Sequence, residues 1–248
     1  MLRSVFVIIC LAVGFVAAAS TPDKRIVGGI PAESGDAPWM VSMRNSFNIH
    51  FCGGTLLNRR FVLTAATCMQ GRLSSTTMAV VGSRFLNTAA APYYGLQTIT
   101  HPQFNQNTLE FNVALFQTAL NIVFTNIVQP IQLEPGFISA GSRARMFGWG
   151  ATANGGGNSN ALNFVNLNVI DNDICRSVLG ANGMRVGTSS MCTQNREGQG
   201  LCTNDAGGAL VLDNLAIGVA SWKIPCATGN PDVFVRISAI RDWIVSII

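Results

Sequence analysis

The stretch CTNDAGGAL, residues 202–210, joins a cysteine to the start of an apolar strand through a polar turn and two adjacent glycines. Around it, apolar runs of strand length recur, broken by Gly, Asn and Pro. They are Phe61–Ala66, Met78–Val81, Val113–Phe116, Leu162–Val169, Leu210–Leu212 and Ile217–Trp222. Short strands at such regular spacing predict an all-β chain of packed antiparallel barrels. The 25 glycines point the same way, because turns need them. Residues Asn154–Asn160, rich in Gly and Asn, predict a flexible surface loop. Only the end of the chain has helical periodicity: Ile240, Trp243, Ile244, Ile247 and Ile248 fall on one face, with Ser238 as the expected N-cap.

Composition narrows the function classes. Charged residues are 11% of the 248, against about 25% in an average soluble domain. Low charge with high apolar content excludes a disordered chain. It also argues against nucleic-acid binding, which needs clustered Lys and Arg. The first 19 residues read as a secretory signal peptide: Arg3, an apolar run from Val5 to Val16, then Ala17-Ala18-Ala19. That run is too short to span a bilayer, so no membrane span is expected. Residues 20–25 read as a short propeptide ending at a basic cleavage site, Lys24-Arg25. Residues 26–248 form the mature domain. Losing Arg3, Asp23, Lys24 and Arg25 lowers the formal charge of +4 by two, too little to imply an anionic partner.

Export also governs the cysteines. Cys10 leaves with the leader, and Cys52, Cys68, Cys175, Cys192, Cys202 and Cys226 remain. An even set in an oxidising compartment implies disulfides, with 15 possible connectivities. Zinc is rejected for want of a CxxC pair or a suitably spaced His. No acidic residue lies between Asp36 and Glu110 to build a calcium loop. Neither metal nor cofactor is expected.

Five segments in order carry a resemblance: IVGG from Ile26, FCGGTLL with LTAATC across Phe51–Cys68, FGWG at Phe147–Gly150, CTNDAGGAL, and VASW at Val219–Trp222. Together they resemble the chymotrypsin-like serine proteases. The resemblance implies two six-stranded antiparallel β-barrels with a short C-terminal helix. It also implies the pairs Cys52–Cys68, Cys175–Cys192 and Cys202–Cys226, a three-bridge pattern of invertebrate members.

The family's reaction uses a Ser nucleophile, a His base and an Asp that orients the His. On the motifs of this chain those positions fall at Ala206, Thr67 and Asn112. Neither His50 nor His101 maps to the base position; both read as surface or hydrogen-bonding residues. The resemblance places the oxyanion-hole N–H groups at Asn204 and Ala206. It places the specificity pocket at Gly200, Ser221, Trp222, Lys223 and Asp232. Lys223 is expected either to pair with Asp232 or to obstruct the cleft. Arg25, Ile26 and Asp205 read as a retained activation switch, in which the new amino terminus pairs with Asp205.

These substitutions give the expectation of a non-enzyme: a secreted serine protease homologue that acts by binding a protein partner, as a cofactor or decoy in an extracellular protease cascade or in surface recognition. The alternatives are a secreted serine-type endopeptidase of the family and a small-ligand carrier using the cleft.

Overall fold

The computed structural model describes residues 27–90, 92–181, 185–194 and 196–248. The leader, the propeptide and the Arg25-Ile26 bond lie outside them. After the two-residue strand β1 (Ile30–Pro31), six strands build the first barrel: β2 (Met40–Arg44), β3 (His50–Leu56), β4 (Phe61–Thr64), β5 (Met78–Val80), β6 (Pro92–Thr100) and β7 (Ala114–Thr118). They close in the order β2-β3-β4-β7-β6-β5. The short helix α1 (Ala66–Met69) follows β4.

The second barrel follows β8 (Gln132–Leu133), which pairs in parallel with a later strand. Its strands are β9 (Arg143–Gly148), β10 (Asn163–Ile170), β11 (Ser190–Gln194), β12 (Ala209–Leu212), β13 (Leu215–Lys223) and β14 (Asp232–Arg236). The order β10-β11-β14-β13-β12-β9 closes through the β9–β10 pairing. Helix α2 (Asn172–Gly180) lies between β10 and β11, and α3 (Ile237–Val245) ends the fold.

Strand alternation explains how each barrel fills. In β10, Val165, Leu167 and Val169 are buried while Phe164, Asn166 and Asn168 lie on the other face. The inward residues join Met146, Leu210, Ile217 and Phe234 in the core of the second barrel. A larger apolar cluster runs between the barrels, holding Trp39, Phe147, Trp149, Leu115 and Phe116 with Ile237, Ile240 and Ile244 of α3. Burying each such side chain contributes about 1.5–3 kcal/mol. The helix docks as its periodicity implies, but its N-cap is Arg236, which makes no side-chain capping bond. Ser238 therefore sits in the first turn: β14 runs directly into the helix and leaves no loop for a cap.

The three disulfides are Cys52–Cys68, Cys175–Cys192 and Cys202–Cys226. Each closes a short loop, which restricts the unfolded chain by about 2–4 kcal/mol. Among the described residues no helix is long and apolar enough to cross a membrane.

Candidate functional site

The loop 202–208 lies where the barrels meet and is bonded to both. Gly53 N–H of β3 donates to the Ala206 carbonyl at 2.8 Å, and Gly207 N–H donates to Ala220 O of β13 at 2.8 Å. Thr64 Oγ1 donates to Gly53 O, fixing the β3 side. The approach is so close that side chains are excluded. A Cβ on Gly207, whose φ is +86°, would fall 2.3 Å from both Gly53 O and Thr64 Oγ1. A Cβ on Gly53 would fall 2.9 Å from Gly208 N. Of the two glycines read first as a sequence motif, Gly207 is fixed by packing between the barrels and Gly208 by packing on Met146 and Phe147 of β9 within the second barrel.

Asn204 adopts the left-handed conformation, φ +71°, which Asn tolerates better than most side chains. Its amide Nδ2 donates to Asn158 Oδ1 at 2.8 Å, and Asn158 Nδ2 donates to His50 O at 3.3 Å. Asn158 belongs to the loop expected to be free. One end of that loop is instead tied down, and Ser159 is buried.

His50 is only 4% exposed, so the surface reading fails and the hydrogen-bonding reading stands. Its Nε2–H donates to Asn204 O at 3.2 Å, leaving Nδ1 to accept from Ser42 Oγ at 2.9 Å. Arg44 Nε donates in turn to Ser42 Oγ. Burial above all, and the Arg44 charge, hold His50 down to about 4 against the pull of the Asn204 carbonyl, so it is neutral at pH 7. His101 is also buried, stacked on Phe111 and set edge-on against Trp243, with Nδ1 accepting from Gln103 N–H.

Thr67, Asn112 and Ser221 come together. Asn112, fully buried, accepts from Thr67 N–H at 2.9 Å through Oδ1. Its Nδ2 donates to Thr67 Oγ1 at 3.2 Å and to Ser221 Oγ at 2.9 Å. The amide therefore links α1 of the first barrel to β13 of the second.

A hollow of about 260 Å³ opens beside this group, lined by Leu201, Cys202, Thr203, Asn204, Ala206, Ser221, Trp222 and Lys223. Among the described residues, the backbone N–H groups of Asn204 and Ala206 have no acceptor. Gly200 and Asp232 lie behind Leu201. Asp232 Oδ2 accepts from Leu201 N–H at 2.8 Å and sits 2.6 Å from where a Gly200 Cβ would be. Lys223 is the register partner of Asp232 across β13 and β14. They form no ion pair, however: the one ion pair among the described residues joins Arg176 and Asp173.

Asp205 is 1% exposed, and its two oxygens accept from Gly150 N–H and Cys202 N–H, each at 2.9 Å. Burial pushes it up to about 7; the two N–H groups and the distant Lys223 charge pull against that. Asp232 is likewise pushed up to about 7 by burial, helped by Asp205, while Leu201 N–H and Lys223 oppose.

The structure thus brings the sequence-derived residues 67, 112, 204, 206 and 221–223 to one cleft, with Gly200, Asp205 and Asp232 beneath it. Sequence reasoning missed Asn158 and Gly53. Asn158 carried no signal, since its partners are remote in the chain; Gly53 stood in a motif that gave no hint of its contact.

A family model described as Trypsin matches residues 26–244. Chymotrypsin-2 of Vespa crabro is 34% identical over 88% of this chain and 98% of that protein. Alkaline trypsin A of Manduca sexta is 33% identical over 94% of this chain and 96% of that protein. Among solved structures, human heparin binding protein superposes with a TM-score of 0.78 at 31% identity, covering 90% of this chain and 96% of that one. These findings correct the expectation of a non-enzyme. That reading rested on three positions, whereas the relatives matching nearly the whole chain carry the names of proteases.

Proposed function

Because the chain belongs to the chymotrypsin-like serine protease family, we propose that it is an exported protein working on polypeptides, with an extended segment lying in the cleft beside Ala206. The observation that carries this is the pair of backbone N–H groups at Asn204 and Ala206, which have no acceptor among the described residues and belong to residues lining the cleft. Two such donors suit the carbonyl oxygen of a bound segment and would strengthen as charge develops on it. Trp222 and Ser221 supply one wall, and beneath them the space beside Gly200 is taken up by the Asp232 carboxylate.

The first reading is the one the relatives' names support, a serine-type endopeptidase. Ala206 offers no hydroxyl, so hydrolysis would have to use water, adding to the bound carbonyl while the N–H groups of Asn204 and Ala206 hold its oxygen, the C–N bond breaks and the departing amine takes up the water's proton. Ser221 Oγ, which accepts from Asn112 Nδ2, lines the same cleft. A second reading, engagement of a protein partner at the same cleft, rests on Thr67, Asn112 and Ser221 satisfying one another.

In either reading the Arg25-Ile26 bond and Asp205 form the activation switch. The buried Asp205 carboxylate, met by N–H donors and by no cation within ion-pair distance among the described residues, is suited to a new α-ammonium. The test is to cleave at Arg25 and present a mixed library of labelled peptides, reading products by mass spectrometry and retention by fluorescence anisotropy. Cleavage products that persist through successive purification steps, and vanish when Ala206→Leu crowds the cleft without lowering the melting temperature, support the first reading. Retention without products supports the second. Neither retention nor products sinks the proposal.

A further inference from the structure

The net charge is small, but it is unevenly placed. Arg143 and Arg145 are alternate residues of β9, both exposed on the outer face of the second barrel. Directly across on β10 stand Asn168 and Asn166, so each guanidinium faces an amide and not a carboxylate. Two hollows of about 420 and 510 Å³ adjoin along this face and share Arg143 and Asn166. Arg196 lines the first; Arg145 lines the second, with Asp213 its one acidic lining residue. Neither Arg143, Arg145 nor Arg196 has an ion-pair partner among the described residues. Arg145 is held above the Phe147 and Phe164 rings, at 5.7 and 6.0 Å.

We propose that this face docks an extended acidic peptide segment carrying carboxylates at alternate positions. The reason is commensurate spacing. Arg143 and Arg145 are two residues apart in a strand, about 6.6 Å, and alternate side chains of any extended peptide repeat at that same distance. A peptide lying along β9 therefore sets successive carboxylates over successive guanidinium forks, each capable of two parallel N–H···O bonds. This surface is independent of the cleft and does not rest on the polypeptide reading given for it.

The experiment uses a fluorescent peptide of alternating Glu and Ser, a block-ordered isomer of the same composition, and dextran sulfate as competitor. Anisotropy is read at low and physiological salt. The alternating peptide is expected to bind more tightly than its isomer. R143Q/R145Q is expected to weaken it at least about tenfold and to lower the salt dependence by about two ions. R143K/R145K, which keeps charge and loses the fork, is expected to fall in between. R59Q/R60Q, with the same net charge as R143Q/R145Q but altered on the first barrel, is expected to bind as the parent does. Thermal melts of each variant separate lost binding from lost folding. Equal loss in both Gln pairs would reduce the effect to net charge and overturn the proposal. So would indifference to peptide order, or tighter R143/R145-dependent binding of dextran sulfate than of peptide, which reassigns the face to a sulfated polysaccharide.

Discussion

Asn112 and Thr67 are bonded to each other twice: the amide oxygen takes the Thr67 N–H at 2.9 Å and the amide nitrogen gives to Thr67 Oγ1 at 3.2 Å. A third bond, from the same nitrogen to Ser221 Oγ, reaches the other barrel. Asn112→Ala leaves the Thr67 N–H without its acceptor and both hydroxyls without a donor. Its expected cost is about 2–4 kcal/mol, measured by urea unfolding. Asn112→Asp is expected to cost less, because both hydroxyls can turn their protons toward the carboxylate oxygens. Equal destabilisation by the two changes would deny the network its role.

Gly207→Ala is expected to destabilise by more than about 2 kcal/mol. It combines a backbone conformation unsuited to a side chain with a collision against Gly53 O and Thr64 Oγ1. Gly155→Ala, also at positive φ but with nothing within 4 Å, isolates the conformational part. The difference between the two melting temperatures measures the packing part, and a vanishing difference would show that the barrels yield.

Cleavage after Arg25 is expected to raise the melting temperature. Among the described residues only N–H donors meet the buried Asp205, and a pairing ammonium would relieve it. Identical melting of cut and uncut protein, or an equal rise on cutting an Asp205→Asn variant, would count against the switch.

The pH dependence of the uncut chain has a definite sign. Asp205 and Asp232, both pushed up to about 7, keep their protons in the folded state where the unfolded chain has lost them. Their contribution is full below the ordinary carboxylate range near 4 and is lost as pH rises to about 7, by about 1.4 kcal/mol per unit for each group. His50 works the other way. Held at about 4, it contributes fully above 6.5 and loses its contribution as pH falls toward 4. Stability is therefore expected to decline from pH 4 to 7, with a steeper decline once His50→Gln removes the opposing slope. A profile that His50→Gln leaves unchanged would refute the assignment.

Much of the frame was legible. The runs at Leu162–Val169 and Ile217–Trp222 became β10 and β13 with their inward residues alternating, because burial on one face leaves a period of two in the sequence. The disulfide pairing followed from the resemblance. What stayed hidden depends on contacts between remote residues. His50 is buried because Asn204, far along the chain, covers it, and Asn158 is ordered by the same residue. Lys223 and Asp232, expected as an ion pair across the pocket, are register partners on β13 and β14, yet adjacency in register does not bring ammonium to carboxylate. Three altered positions likewise did not suffice to decide the activity of the whole chain.

The loop that carries Ala206 is pinned at Gly53 in one barrel and Ala220 in the other. Sliding one barrel past the other would break both bonds, so the cleft has no soft hinge along that seam. A polypeptide meeting it finds jaws already set. Association should then cost little reorganisation, proceed without a slow closing phase, and discriminate by shape more than by adaptability.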